Sequence, residues 1–192
     1  MIKVVAFDYA GVVAEGPMTK WIRENVTPTG EKYLHYKQNA HKWDTGQMDL
    51  KEVYGVLGEL TGTPPEAIWD NFYEKSKSNT EVIRMIKKLR KKYKIILFSN
   101  FFSEMLYKLL EKYQIKDLFH EIIISSDHKM KKPDPKFFEL LEKKSGVKKD
   151  EIVFIDDTEI NIDMSNAYGI KAFQYKNFNQ LEKDLESAGI SV

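Results

Sequence analysis

The chain has 192 residues, of which 42% are apolar and 31% charged, and its 30 basic and 29 acidic side chains leave a formal net charge of +1. The apolar content is sufficient for a packed core and argues against a disordered chain. The absence of cysteine excludes disulfides and thiolate sites, and the 27 lysines and 3 arginines, without a positive excess, disfavour nucleic-acid binding.

Five apolar runs, each too short for a helix, predict five β-strands. In chain order, the predicted strands are Ile2–Phe7, Lys94–Phe98, Glu121–Ile124, Ile152–Ile155 and Lys171–Gln174. Their apolar character is nearly continuous rather than alternating, which is typical of parallel strands that are covered on both faces.

Amphipathic patterns at helical spacing separate these strands. The predicted helices are Val82–Leu89, Met105–Leu110, Pro135–Gly146, Asn161–Tyr168 and Asn177–Ala188. The third begins with the pair Asp134–Pro135, a favourable cap followed by a favourable first helical residue. Strands that alternate with helices indicate crossover units, so we predict an α/β fold with a doubly wound, three-layer parallel sheet of Rossmann-like type.

Residues 14–79 interrupt this alternation. They show no strand pattern, but an aromatic-rich helical pattern interrupted by proline and glycine. The stretch is far longer than a crossover connection needs. We therefore predict a small all-helical cap over residues 14–79, inserted after the first strand, and an α/β core made of residues 1–13 and 80–192.

Polar residues follow the predicted strands at the points where the strands end. They are Asp8, Ser99, Asn100, Lys132, Asp156 and Asp157. Ligands of an open parallel sheet bind beyond the carboxyl ends of its strands, so these side chains are expected to lie together. Carboxylates that lie so close to one another repel each other unless a cation lies among them. Mg²⁺ prefers oxygen ligands and typically bridges protein carboxylates to a phosphate. The pattern predicts a Mg²⁺ site facing an anionic substrate group.

Four segments resemble the four motifs of the haloacid dehalogenase (HAD) superfamily of hydrolases. They are FDYAGVV (7–13), LFSN (97–100), KKPDPKFF (131–138) and FIDDTEIN (154–161). The resemblance covers nearly the whole predicted core, and residues 14–79 match the family's helical cap in position. It implies a Mg²⁺-dependent hydrolase, most often a phosphatase.

The resemblance also implies catalytic roles. Asp8 would be the nucleophile that attacks phosphorus and forms an aspartyl-phosphate. Ser99 would donate a hydrogen bond to the phosphoryl oxygens, with the backbone N–H of Asn100 nearby. Lys132 would neutralise the charge of the nucleophile and of the phosphoryl group.

The metal ligands that the resemblance implies come from two motifs. Asp8 would bind Mg²⁺ through its second carboxylate oxygen, and Ala10 through its backbone carbonyl. Asp157 would be the main ligand of the fourth motif, with Asp156 binding directly or through water. Asn161 stands where many family members have a further Asp, and it could orient a metal-bound water.

The sequence departs from the phosphatase pattern at Ala10. Phosphatases of the family usually have a second Asp there, which protonates the leaving alcohol, and the loss of such a group costs about 10²–10⁴ in rate. One interpretation is a substrate whose leaving group needs little protonation, such as an acyl phosphate or an anomeric sugar phosphate. Another is an acid in the cap, for which the candidates are His35, His41, Glu15 and Asp44.

Two interpretations involve other chemistry. The Asp-x-Ala-Gly pattern resembles the phosphonoacetaldehyde hydrolase branch, in which a cap lysine forms a Schiff base. The lysines available are Lys20, Lys32, Lys37, Lys42 and Lys51. Haloacid dehalogenases also lack the second Asp but need no metal, and the pair Asp156–Asp157 argues against them. The last interpretation is a binding or regulatory protein that keeps the fold without turnover.

The remaining expectations concern location and partners. No run approaches the roughly eighteen apolar residues of a spanning helix, and the N-terminal run reaches Asp8 too early for a secretory signal. We expect a cytoplasmic protein with a small phosphorylated molecule as substrate and no nucleic-acid or membrane partner. The sequence leaves open whether it is a monomer or a homodimer.

Overall fold

The computed structural model describes residues 1–16 and 30–191, and this part of the chain contains one five-stranded parallel sheet. The strands are β1 (Val4–Phe7), β2 (Lys94–Ser99), β3 (Glu121–Ile124), β4 (Ile152–Asp156) and β5 (Lys171–Gln174). Their order in the sheet is β3-β2-β1-β4-β5. All five predicted strands are confirmed, and β2 and β4 each extend one residue further than predicted, to Ser99 and Asp156.

Nine α-helices lie in the described residues. They are α1 (Glu31–Asp44), α2 (Leu50–Thr61), α3 (Pro65–Lys75), α4 (Thr80–Leu89), α5 (Ser103–Lys112), α6 (Ser125–His128), α7 (Pro135–Ser145), α8 (Glu159–Tyr168) and α9 (Phe178–Ser187). Short 3₁₀ turns occur at Lys116–Leu118 and Lys149–Glu151. The five helices predicted between and after the strands are present, and α7 begins as expected, with the side chain of Asp134 accepting a hydrogen bond from the N–H of Lys136.

Helices cover both faces of the sheet, which explains the continuous apolar runs. Along β1, Val5 and Phe7 pack with the cluster that contains α4, α5 and α9, whereas Val4 and Ala6 pack with α7 and α8. Each of these strand residues has no exposed surface. Burial of an apolar side chain of this kind contributes about 1.5–3 kcal/mol, so both faces of the sheet stabilise the fold. The predicted three-layer α/β architecture is confirmed.

The helices α1, α2 and α3, here called the cap helices, have a small apolar cluster of their own. Its buried members are Trp43, Val53, Leu57, Leu60 and Ile68. The first turn of α2 is fixed by a capping box, in which Asp49 and Glu52 exchange side-chain and backbone hydrogen bonds. The cap helices lie within the predicted helical cap, of which residues 17–29 lie outside the described part of the chain.

The sheet register aligns the strand ends that carry the candidate site. Phe7 pairs with Leu97 on one side and with Ile155 on the other. The next residue, Asp8, continues this ladder by donating its backbone N–H to the carbonyl of Ile155 at 2.9 Å. The strand order reverses between β1 and β4, which is the position where ligands bind in folds of this kind. Among the described residues, no helix combines the length and apolar character needed to cross a membrane.

Candidate active site

The structure brings the predicted polar residues together at one edge of the sheet. Asp8 follows β1 directly, Ser99 ends β2 and Asp156 ends β4, and β1 lies between the other two strands. Asp8, Asp156 and Asp157 each offer a carboxylate oxygen, and these three oxygens lie within 4.8 Å of one another. Three carboxylates at this spacing are unfavourable without cationic groups between or beside them.

Lys132 supplies one such cation from the loop before α7. Its Nζ is 3.0 Å from Oδ1 of Asp8 and 2.6 Å from Oδ2 of Asp156, and it also donates to the carbonyl of Phe98 at 3.0 Å. An ammonium group has three N–H donors, so this environment satisfies all of them. Only 1% of Lys132 is exposed, and such a buried charge requires this degree of pairing.

The carboxylate of Asp156 also has hydrogen-bond partners for both of its oxygens. Besides Lys132, its carboxylate accepts from the backbone N–H of Thr158 at 2.8 Å and from the amide of Asn161, 3.1 Å from each oxygen. The predicted site residue Asn161 therefore has a carboxylate partner within the protein. These bonds hold Asp156 as the counter-ion of Lys132.

The side chain of Asn100 fixes the loop that carries Lys132. Its Nδ2 donates to the carbonyl of Lys132 at 2.9 Å, and its Oδ1 accepts from the N–H of Lys132 at 2.8 Å. The sequence predicted a role for the backbone of Asn100, but not this pairing of its side chain. The amide of an Asn can match a peptide group in this way, so an Asn directly after a strand end is the signal that could have suggested it.

The hydroxyl of Ser99 is fully buried and has no hydrogen bond among the described residues. A buried hydroxyl without a partner is costly, commonly by about 1–3 kcal/mol. It lies near enough to Asp8 to lower the pKa of that carboxyl. Ser99 is thus an unused donor beside the candidate nucleophile.

Asp157 fits closely against the loop that follows β1. A Cβ atom placed on Gly11 would lie 2.3 Å from Oδ2 of Asp157, and Gly11 has a positive φ of 84°. Both facts favour glycine there, since other residues rarely adopt this conformation. The contact joins the first and fourth motifs, and apart from the glycine itself no sequence pattern indicates it.

Burial dominates the electrostatics of the two central groups. It raises the pKa of Asp8 to about 7, a rise that Lys132 opposes and Asp156 reinforces. Burial alone would lower the pKa of Lys132, but the adjacent Asp156 and Asp8 carboxylates raise it overall. Lys132 therefore stays charged, and Asp8 depends on cationic neighbours to be ionised at neutral pH.

A cavity of about 180 Å³ lies between the cap helices and this edge of the sheet. Ala10 and Asn100 contribute to its wall from the core side. The rest of the wall is mostly apolar and aromatic, formed by Gly16, Tyr36, Ala40, Trp43, Asp44, Val53, Phe101, Phe102 and Met105. The cavity thus adjoins the position where the phosphatase pattern has its second Asp.

The four cap residues that were candidates for the proton donor differ in where the structure places them. Asp44 lines the cavity, and its carboxylate pairs with Lys131, the neighbour of Lys132, at 2.9 Å. His35 lies beside Asn39 and Glu59, while His41 and Glu15 are exposed. The candidate lysines Lys32, Lys37, Lys42 and Lys51 are exposed and absent from the cavity wall, and Lys20 lies outside the described residues.

The chain is similar in sequence to two phosphatases. D-ribitol-5-phosphate phosphatase of Bacteroides thetaiotaomicron is 24% identical, with 92% of this chain and 93% of that protein covered. A sesquiterpene phosphatase of Aspergillus oryzae is 26% identical, with 88% and 87% covered.

The fold is also found in solved structures. A HAD family enzyme of B. thetaiotaomicron, in complex with magnesium and inorganic phosphate, matches with a TM-score of 0.75 at 23% identity, covering 94% of this chain and 99% of that one. L-2-haloacid dehalogenase of Xanthobacter autotrophicus matches with a TM-score of 0.69 at 18% identity, covering 100% and 85%. A family model of haloacid dehalogenase-like hydrolases matches residues 2–169. This chain therefore belongs to the haloacid dehalogenase-like hydrolase family.

Proposed function

We propose that this hydrolase is a Mg²⁺-dependent phosphatase that acts on a small phosphorylated metabolite through an aspartyl-phosphate on Asp8. One observation carries the proposal: a buried carboxylate, Asp8, lies beside a buried Lys132, an unpartnered Ser99 hydroxyl and two further carboxylates. Carboxylates suit a hard divalent cation, while the lysine and the hydroxyl suit phosphoryl oxygens. The two similar proteins that are named phosphatases support the same reaction class.

The donor set of the site fits Mg²⁺. Asp8, Asp157 and the carbonyl of Ala10 would hold the ion, with Asp156 contributing directly or through water. All are oxygen donors, and the space that Gly11 leaves for Asp157 keeps that carboxylate close to Asp8. Bound there, Mg²⁺ would offset the negative charge of the phosphoryl group and help to orient it.

The protein's own residues would perform the remaining steps. Asp8 attacks phosphorus, the bond to the leaving oxygen breaks, and the phosphoryl group is carried on Asp8 until water displaces it. The Ser99 hydroxyl donates to a phosphoryl oxygen. Lys132 favours the ionised form of Asp8 and keeps its orientation by remaining bonded to Asp156. Asn161 supports that bond from the other side of Asp156.

The division of the chain supports the same proposal. We assign residues 1–13 and 80–192 to the catalytic core and residues 14–79 to a helical cap that encloses the substrate. A cavity of about 180 Å³ between them has room for a small leaving group rather than for a macromolecule. An enclosed site also excludes water that would compete with the substrate for Lys132 and Ser99.

The other chemistries gain less support from the site. A Schiff base of the phosphonoacetaldehyde hydrolase kind needs an amine in the cavity, and no described cap lysine lies in its wall. Dehalogenation needs no metal, whereas the three-carboxylate cluster is costly without one. A protein that only binds ligands has no need for a buried, charge-paired Asp8.

The experiment is a substrate panel on metal-depleted protein with and without added Mg²⁺. It contains para-nitrophenyl phosphate, sugar and polyol phosphates, acetyl phosphate, phosphonoacetaldehyde and 2-chloropropionate. We expect release of inorganic phosphate from the monoesters only when Mg²⁺ is present. Turnover of the phosphonate or of the halide alone, or no turnover of any phosphate ester, would refute the proposal.

A further inference from the structure

The inference concerns Asp44 and rests on the function proposed above. We propose that Asp44, the last residue of α1, is the general acid and base that Ala10 cannot be. In this role the cap helices contribute a reacting group as well as the shape of the cavity. Asp44 would protonate the leaving alcohol in the first half-reaction and take a proton from the attacking water in the second.

The position of Asp44 is the first support. Ala10 and Asp44 lie in the wall of the same cavity, one from the core and one from the cap helices. Within residues 1–16 and 30–191, Asp44 is the only wall residue with a carboxyl, imidazole or amino group. Its partner Lys131 directly precedes Lys132, whose Nζ is 3.0 Å from Asp8. Asp44 therefore shares a cavity with Ala10, two residues after the nucleophile, and pairs with the neighbour of the lysine that contacts the nucleophile.

The hydrogen bonding of Asp44 leaves one oxygen for a substrate. Its Oδ2 accepts from Lys131 Nζ at 2.9 Å, and Oδ1 has no partner among the described residues. The side chain is only 20% exposed. A carboxyl that is held by one oxygen keeps a fixed direction while the other oxygen can reach a leaving group.

The surroundings of Asp44 suit both halves of the reaction. Burial raises the pKa of its carboxyl, and Lys131, His41 and Lys132 oppose that rise. A carboxyl with an elevated pKa can hold a proton when the substrate arrives, and Lys131 stabilises the carboxylate after the proton has left. The charged groups that act most strongly on Asp44 are thus Lys131, His41 and Lys132, all of them cationic when protonated.

The reaction has two halves, with Asp44 as acid in the first and as base in the second. Asp8 forms a bond to phosphorus while the bond between phosphorus and the ester oxygen breaks, and that oxygen takes the electron pair and the proton of Asp44. The alcohol leaves, and Asp44 is now a carboxylate. Water then attacks phosphorus and gives a proton to Asp44, and the bond to Asp8 breaks with its electron pair returning to the Asp8 carboxylate. Phosphate and protonated Asp44 result.

The test compares two esters of similar size whose leaving groups differ in their need for a proton. The phenolate of para-nitrophenyl phosphate leaves unprotonated, whereas the alkoxide of benzyl phosphate needs an acid. We expect Asp44→Asn to slow alcohol release from benzyl phosphate by about 10²–10⁴. The same variant should release the first equivalent of nitrophenol at nearly the wild-type rate and then slow down, because water attack on the phosphoenzyme has lost its base.

Four further variants make the test specific. Lys131→Met removes the ion pair but keeps the carboxyl, so its ratio of benzyl to nitrophenyl hydrolysis should stay within about threefold of wild type. Asp44→Glu should keep part of the benzyl phosphate activity, and Ala10→Asp should restore that activity in the Asp44→Asn protein. Asp70→Asn changes an exposed acid on α3 and should leave both rates unchanged. Circular dichroism shows whether each variant is folded, and Asp44→Ser serves if Asp44→Asn is not.

The outcomes separate this inference from the proposed function. If the wild-type protein hydrolyses neither ester, the phosphatase proposal fails. If it hydrolyses both and Asp44→Asn lowers the first-turnover release of both leaving groups equally, or of neither, the phosphatase proposal stands and the acid assignment is wrong. The assignment is also wrong if Lys131→Met changes the ratio of benzyl to nitrophenyl phosphate hydrolysis as much as Asp44→Asn does. Asp44 would then act only through its ion pair with Lys131, which holds α1 against the core.

Discussion

The two sides of the cavity differ in how completely their polar groups are bound. On the core side, Lys132 and Asp156 satisfy their hydrogen-bonding groups within the protein, and Asn100 fixes the loop that carries Lys132. On the side of the cap helices, the wall is aromatic and apolar, with Asp44 held by one ion pair. With the function proposed above, the difference predicts that the sheet edge provides the nucleophile and the metal ligands, while the cap helices provide the leaving-group acid and the shape of the leaving-group cavity.

The same difference predicts unequal tolerance to substitution. A buried ion pair that loses one partner leaves an uncompensated charge, which commonly costs about 3–5 kcal/mol. Apolar walls accept changes of similar volume at less than about 1.5 kcal/mol. Variation on the core side should therefore abolish function, whereas variation on the cap side should redirect it. The predictions below test this contrast, beginning with the largest effect.

Replacement of Asp8 by Asn should abolish turnover while the fold is retained. Asn has nearly the same shape but cannot form an aspartyl-phosphate, so we expect a loss of at least about 10³ in rate on every phosphate ester. Phosphate release measures the loss, and circular dichroism checks the fold. Asp163→Asn, at an exposed acid on α8, is the matched control and should behave as wild type. Retained turnover in Asp8→Asn would contradict the assignment of the nucleophile.

The stability of the metal-free protein should fall as the pH rises from about 4 to about 7. Burial raises the pKa of Asp8 from 3.8 to about 7. Within this window the folded state holds a proton that the unfolded state has lost, so stability decreases with increasing pH, by up to about 1.4 kcal/mol per pH unit. Urea unfolding in the presence of a chelator should show a shallower slope for Asp8→Asn.

The titration of Asp44 does not remove the expected difference in pH dependence between wild type and Asp8→Asn. The pKa of Asp44 is also raised by burial, but it contributes equally to wild type and to Asp8→Asn. Added Mg²⁺ should recover wild-type stability at pH 7 and above, because it supplies the cation that an ionised Asp8 needs. Parallel pH dependences of the two proteins would mean that Asp8 is not the group responsible.

Gly11→Ala should weaken Mg²⁺ binding. The added Cβ would lie 2.3 Å from Oδ2 of Asp157 and the backbone φ of 84° is unfavourable for alanine, so the Asp157 carboxylate must shift from its place in the three-carboxylate cluster. Displacement of a ligand of this kind typically costs about 10–100-fold in metal affinity. Mg²⁺ titration by calorimetry measures the change, and Gly55→Ala in α2, where a Cβ has open space, is the control. Unchanged affinity would exclude Asp157 as a ligand.

The fold and the sheet-edge residues could be predicted because local patterns determine them. Strands buried on both faces require continuous apolar runs, and residues that follow such strands must meet at one edge. Asp8, Ser99 and Asp156 are placed by this rule alone. The short helix α6 was missed, since its sequence Ser-Ser-Asp-His has no apolar stripe to reveal a helix.

The contacts between distant segments could not be predicted in the same way. The pair of Asp44 and Lys131 depends on how α1 packs against the core, and no local pattern encodes that orientation. The contact of Gly11 with Asp157 likewise joins the first and fourth motifs. The sequence could name Asp44 as one of four candidates, but only the cavity wall distinguishes it from the exposed His41 and Glu15.

The smallest expected effect concerns the shape of the cavity on the cap side. Ala40→Leu on α1 would add three carbons to a cavity of about 180 Å³ without touching the charged groups of the core. We expect kcat/KM for benzyl phosphate to fall about tenfold, since overpacking costs about 1–3 kcal/mol, while acetyl phosphate, whose leaving group is small, should change little. Ala67→Leu on α3, outside the cavity wall, controls for general destabilisation. Equal losses on both substrates would mean that the cap wall affects the chemistry itself, and the contrast between the two sides would fail.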